Sequence, residues 1–162
     1  MKALKHPTVQ ALLIGLVVII LGGVAKVYYD QASIPEQTRR NTALGEVLDG
    51  VPDALEKHLD ALPEDKRALP PAAGWTPAKM SCAEPVQIAP EEAADPTWAA
   101  LGLDFSKPTT FQFRWRVDKD AFTLLARTDS DCDGLYQVHK LTGERGMLGL
   151  TTENVKVENP GE

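Results

Sequence analysis

Three aspartates on alternate positions, Asp129, Asp131 and Asp133, stand in the segment ARTDSDCDG at residues 126–134, with Cys132 between the last two and Gly134 closing it. A hard cation such as calcium takes several oxygen ligands, and alternating carboxylates can converge on one point. An EF-hand loop requires D-x-D-x-D-G and then, after five more residues, a glutamate. Here that closing position is Lys140. A lysine puts a positive charge where the bidentate carboxylate belongs, which excludes a standard EF-hand. Two readings stay open: a partial calcium site made by Asp129, Asp131, Asp133 and the Leu135 carbonyl, or a tight turn, whose backbone angles Asp, Ser and Gly tolerate.

Other chemistry is sparse. The sequence has no GxSxG, HExxH, GxxxxGK or GxGxxG. His6, His58 and His139 are not spaced as zinc ligands. Arg114 and Arg116 can bind an anion or simply keep a strand face soluble. No residue is assigned a catalytic role, the expectation is a protein that is not an enzyme, and calcium is the one cofactor considered. Cys82 and Cys132, the two cysteines, read as one disulfide in an oxidising compartment or as two separate buried thiols.

The elements that must position these residues fall into three blocks. Residues 1–29 read as a membrane anchor. From Val9 through Leu16 to Val24 the chain is apolar apart from Gln10, about the minimum length for crossing a hydrocarbon core. Lys2 and Lys5 precede this run and hold the N-terminus inside. The alternative is a cleaved signal peptide, with small residues at Gly23 and Ala25. Either way the remainder is exported. Residues 1–29 carry three lysines and no acid, so the exported part holds −9 against a net charge of −6 for the chain. That balance opposes nucleic-acid binding, which depends on clustered Lys and Arg.

Residues 30–62 read as an interrupted helical stalk: a helix begins near Ser33-Ile34-Pro35 and breaks at Asp49-Gly50-Val51-Pro52. A second follows, with Leu55, Leu59 and Leu62 on one face. Residues 63–162 read as the main domain. It opens with a proline-rich loop at 63–96, and strands start after Asp95. Phe111, Phe113, Trp115 and Val117 alternate with Gln112, Arg114 and Arg116, giving one buried and one wet face. Asp118-Lys119-Asp120 turns the chain into a strand at Ala121–Arg127, and Leu135–Leu141 is a third. A turn at Thr142–Gly146 precedes weaker strands at Met147–Thr152 and Val155–Glu158. Short connections predict an antiparallel meander, and the whole is α+β.

PTWAALGLDFSKPTTFQFRW, followed by FTLLARTDSDCDGLYQVHKLTGE, resembles the C-terminal globular domain of type IV pilin-like proteins over roughly residues 70–145. Trp98, Leu101, Gly102, Phe111, Phe113, Phe122, Ala126, Asp129, Asp131, Asp133 and Gly134 carry the likeness. The prepilin motif is absent: with Gly15 on the cleavage glycine, Leu16 comes first and Ile20 fifth, where a pilin has glutamate. The resemblance implies a pilin-like domain facing the periplasm from the bacterial inner membrane. Such a protein works without catalysis, through contacts with other membrane or envelope subunits, as an accessory component of a pilus or secretion apparatus does. The alternative is a secreted calcium-binding module released by signal peptidase.

Overall fold

The computed structural model describes residues 21–24, 28, 42–80, 82, 84–129, 131–147 and 149–159. The chain divides into two compact units, Met1–Leu44 and Gly45–Glu162. In the first, residues 21–24, 28 and 42–44 are helical. The anchor expected over residues 1–29, with Val9 and Leu16, lies outside the described residues; Val24 is helical and half exposed. Among the described residues no helix is long and apolar enough to cross a membrane. The expected architecture is corrected to this extent: neither a transmembrane helix nor a broken stalk is seen among the described residues.

In place of the broken stalk, one helix (α1, residues 42–60) runs straight through Asp49-Gly50-Val51-Pro52. Interior Gly and Pro cost a helix roughly 1 and 3 kcal/mol. Against this, Leu48, Val51, Leu55 and Leu59 recur at helical spacing and are all buried, each contributing roughly 1.5–3 kcal/mol. The stripe outweighs the breakers, and Gly50 stays on the exposed side. Residues 45–60 belong to the second unit and act as one layer of its core. Gly102 sits so close to the helix that a Cβ there would meet the Ala54 methyl at 2.8 Å.

The other layer is a six-stranded antiparallel sheet: β1 (Ala73–Thr76), β2 (Gln112–Asp118), β3 (Ala121–Thr128), β4 (Gln137–Gly146), β5 (Gly149–Thr152) and β6 (Lys156–Glu158). The first five follow one another in sequence order, and β6 pairs with the start of β4 while β5 pairs with its end. One face is sealed: Trp115 pairs with Leu124, Leu124 with Leu141, and Phe113 with Ala126, all buried. Phe122 packs opposite Gly143, where a Cβ would come within 2.5 Å of the ring.

Three local expectations are corrected. Thr142–Gly146 is not a turn but the continuation of β4, held by pairing on both sides with β3 and β5. The proline-rich stretch contains β1, an edge strand, where prolines on either side remove no shared ladder bond. Its prolines are tied down by carbonyls: Pro70 accepts from the Trp115 indole at 3.0 Å and Pro71 from the Thr97 hydroxyl at 3.1 Å. Two short helices, α2 (Pro90–Ala93) and α3 (Pro96–Ala100), lie between β1 and β2, the second of them where strands were expected from Asp95. The Asp95 carboxylate accepts the Thr97 N–H at 2.9 Å as an N-cap, with Pro96 in the first turn. Gly102, at φ +70°, closes α3 by letting the Leu103 N–H reach the Trp98 carbonyl.

Candidate functional site

The aspartate segment is the turn between β3 and β4. Carboxylate oxygens of Asp129, Asp131 and Asp133 lie within 4.8 Å of one another. Asp129 is buried and both its oxygens serve the turn: Oδ1 accepts the Cys132 N–H at 2.9 Å and Oδ2 the Gly134 N–H at 3.2 Å. Asp133 accepts the Leu135 N–H at 2.6 Å. These bonds hold Cys132 and Gly134 at positive φ, +71° and +89°. A buried carboxylate that satisfies two backbone donors explains the turn without a cation, and oxygens so engaged have less left for one.

Cys82 and Cys132 form a disulfide, with their Cα atoms 5.4 Å apart. Closing 50 residues stabilises a fold by about 4 kcal/mol in the chain-entropy view. The bond also joins two particular segments. Cys82 follows β1, which carries Trp75, and Cys132 precedes Tyr136 at the entrance to β4.

Those two rings frame the open face of the sheet. The Arg127 guanidinium, on β3, lies 4.0 Å from the Trp75 ring centroid and 4.3 Å from that of Tyr136. Arg114 lies 5.8 Å from Trp75, also within cation–π range. Arg127 Nε donates to Gln112 Oε1 at 2.9 Å, and Gln112 Nε2 donates to the Pro77 carbonyl at 2.7 Å. Gln112, expected on a wet face, is thus buried beneath the arginine. Among the described residues Arg127 makes no other hydrogen bond and no ion pair, so its Nη edge is free.

Register lines up further cations. Arg114 pairs with Leu125, Leu125 with Lys140, and Lys140 with Lys156, forming one row across β2, β3, β4 and β6. Of these, Lys156 is engaged by Glu153 at 3.1 Å. The hydrogen bonds to Glu153 from Lys156 and then Thr142 hold its carboxyl below the usual range. A groove of about 540 Å³ opens here, lined by Arg116, Arg127, Lys140, Tyr136, Leu125 and Val138 among others.

The expected site residues therefore separate. The cysteines pair, the aspartates build a turn, and Arg114 and Arg116 lie on the open face as alternation predicted. Arg127, Trp75 and Tyr136 were not singled out from sequence. Their only linear signal was the period of two in β3, which puts Arg127 on the same side as Thr123 and Leu125. Compared with protein-family models, curated proteins and solved structures, the chain gives no match. The pilin-like resemblance rests on the residues quoted for it.

Proposed function

We propose that this domain is a non-enzymatic contact module that holds protein partners on the open face of its sheet. The observation that carries the reading is Arg127, placed over two aromatic rings with one polar edge uncommitted among the described residues. Such an arrangement presents rigid aromatic and arginine surface, the residue types that dominate binding energy at protein interfaces. Outside the aspartate turn, titratable groups offer no competing constellation among the described residues. His139 is buried against Gln137, 3.3 Å away, on the sealed side of the sheet, and His58 is on α1. The disulfide and the pilin-like resemblance supply the setting: an exported domain facing the periplasm, an accessory part of an envelope apparatus.

Position-specific photo-crosslinking tests this. A crosslinker at Leu125, on the open face, should trap a partner in the native cells, and one at Lys119, in the β2–β3 turn, should not. The adduct should vanish with Arg127→Ala. Equal trapping from both positions, or an adduct indifferent to Arg127, would overturn the reading.

A further inference from the structure

The groove has the opposite sign from the molecule that carries it. The chain is at −6, yet among the described residues the groove is lined by Arg116, Arg127 and Lys140 against Glu158 alone. No carboxylate among the described residues pairs with Arg116 or Arg127. With the Trp75 and Tyr136 rings against its guanidinium carbon and its Nε bonded to Gln112, Arg127 has its Nη edge left without a partner among the described residues. Two parallel N–H groups in one plane match a carboxylate in the bidentate manner. Apolar surface lies beside this edge: Leu125 and Val138 in the groove, and Leu135, 55% exposed, at its rim.

We propose that the groove receives an acidic segment of a partner protein, in which carboxylates alternate with apolar side chains. One carboxylate sits on the Arg127 edge, and its acidic neighbours lie near Arg116 and Lys140. Apolar residues between them cover Leu125 and Val138. A polyphosphate chain suits this surface less well. Nucleic-acid affinity rests on many phosphate neutralisations, whereas this groove has three cations, includes Glu158 and belongs to an anionic protein. The proposal rests on the open face being the contact surface.

The test uses the full chain in a nonionic detergent and a dye-labelled peptide, acetyl-Glu-Leu-Glu-Leu-Glu-amide, followed by fluorescence anisotropy. Binding should saturate, weaken as salt rises, and fall at least about tenfold, about 1.4 kcal/mol, when every Glu becomes Gln. Arg127→Gln and Arg127→Lys should each cost a similar factor, the lysine because it keeps the charge and loses the planar fork. Because Arg127 also packs against two rings, the pair Arg116→Gln with Lys140→Gln provides a second variant outside the stack. It should weaken binding several-fold with an unchanged melting temperature.

Equal affinity for the Glu and Gln peptides, or no effect of the Arg116 and Lys140 pair, would overturn the proposal. Tighter binding of oligothymidylate or anionic vesicles would overturn it too, as would self-association that Arg127→Gln dissolves. In those cases the Leu125 crosslink would still stand, and only the occupant would be wrong. Loss of that crosslink together with peptide binding would remove the contact surface itself.

Discussion

Trp75 and Trp115 stand on neighbouring strands of one sheet and face opposite ways. Trp115 is fully buried, stacks on Phe122 with ring centroids 5.0 Å apart, and gives its indole N–H to the Pro70 carbonyl. Trp75 is half buried and has Arg127 and Arg114 over its ring. On the inner side aromatic surface meets aromatic surface, and the Trp115 indole N–H is matched within the fold. On the outer side it meets cations that retain unused donors among the described residues. The same residue type is therefore a source of stability on one face and a platform for recognition on the other.

Truncation should separate the two most sharply. Trp115→Ala is expected to cost about 3–5 kcal/mol, as for large-to-small changes in a packed core, read by denaturant unfolding. Loss of less than about 1 kcal/mol would mean that the inner face is not the core. Next comes the disulfide that joins the segments carrying Trp75 and Tyr136. Cys82→Ser should cost about 2–4 kcal/mol and should also shift the nuclear magnetic resonance signal of the Arg127 Nε–H, since the two rings would no longer be tied. An unmoved signal would show that the groove keeps its shape without the bond.

Trp75→Ala, by contrast, should cost only about 0.5–1 kcal/mol, the worth of an exposed cation–π contact, while abolishing the Leu125 crosslink. A core-sized loss would erase the distinction between the faces.

Smaller still is the effect of pH through His139, packed edge-on against Phe111 on the inner side. Burial lowers its pKa from the usual 6.5. On acidification the unfolded imidazole takes up its proton first, so this contribution is intact above about 6.5 and is lost as pH falls below it. His139→Gln should flatten that part of the stability curve, and an unchanged slope would assign it to other groups. Last, millimolar calcium should leave the melting temperature unmoved if the aspartate turn is held by its own backbone bonds. A rise that saturates with calcium would instead give the turn a ligand, because a ligand selective for the native state must stabilise it.

Much of this sheet was readable from alternation. Phe113 and Trp115 point inward and Arg114 and Arg116 outward as the period of two requires, and β3 ends within one residue of where AFTLLAR does. The Asp95-Pro96 start of α3 was also in plain view as an N-cap followed by a first-turn proline. It was hidden by reading the segment as the approach to a strand. Gly143 and Gly146 read as turn residues, but Phe122 needs the space beside Gly143, so cross-strand packing extends β4 through them. Pro52 read as a helix stop, and the burial of Leu48, Val51, Leu55 and Leu59 overrode it. In both cases a local preference of a few kcal/mol yielded to contacts formed at long range.

The candidate site divides the same way. The sequence alone determined which residues could pair as a disulfide, which strands alternate and which side of β2 carries arginine, because periodicity and residue chemistry are local properties. Only the tertiary structure decided that Trp75, Arg127 and Tyr136 meet. They come from an edge strand in a proline-rich stretch, from the middle of the sheet and from the far end of a turn. What brings them together is strand register and a cross-link between distant segments, and no spacing along the chain encodes either.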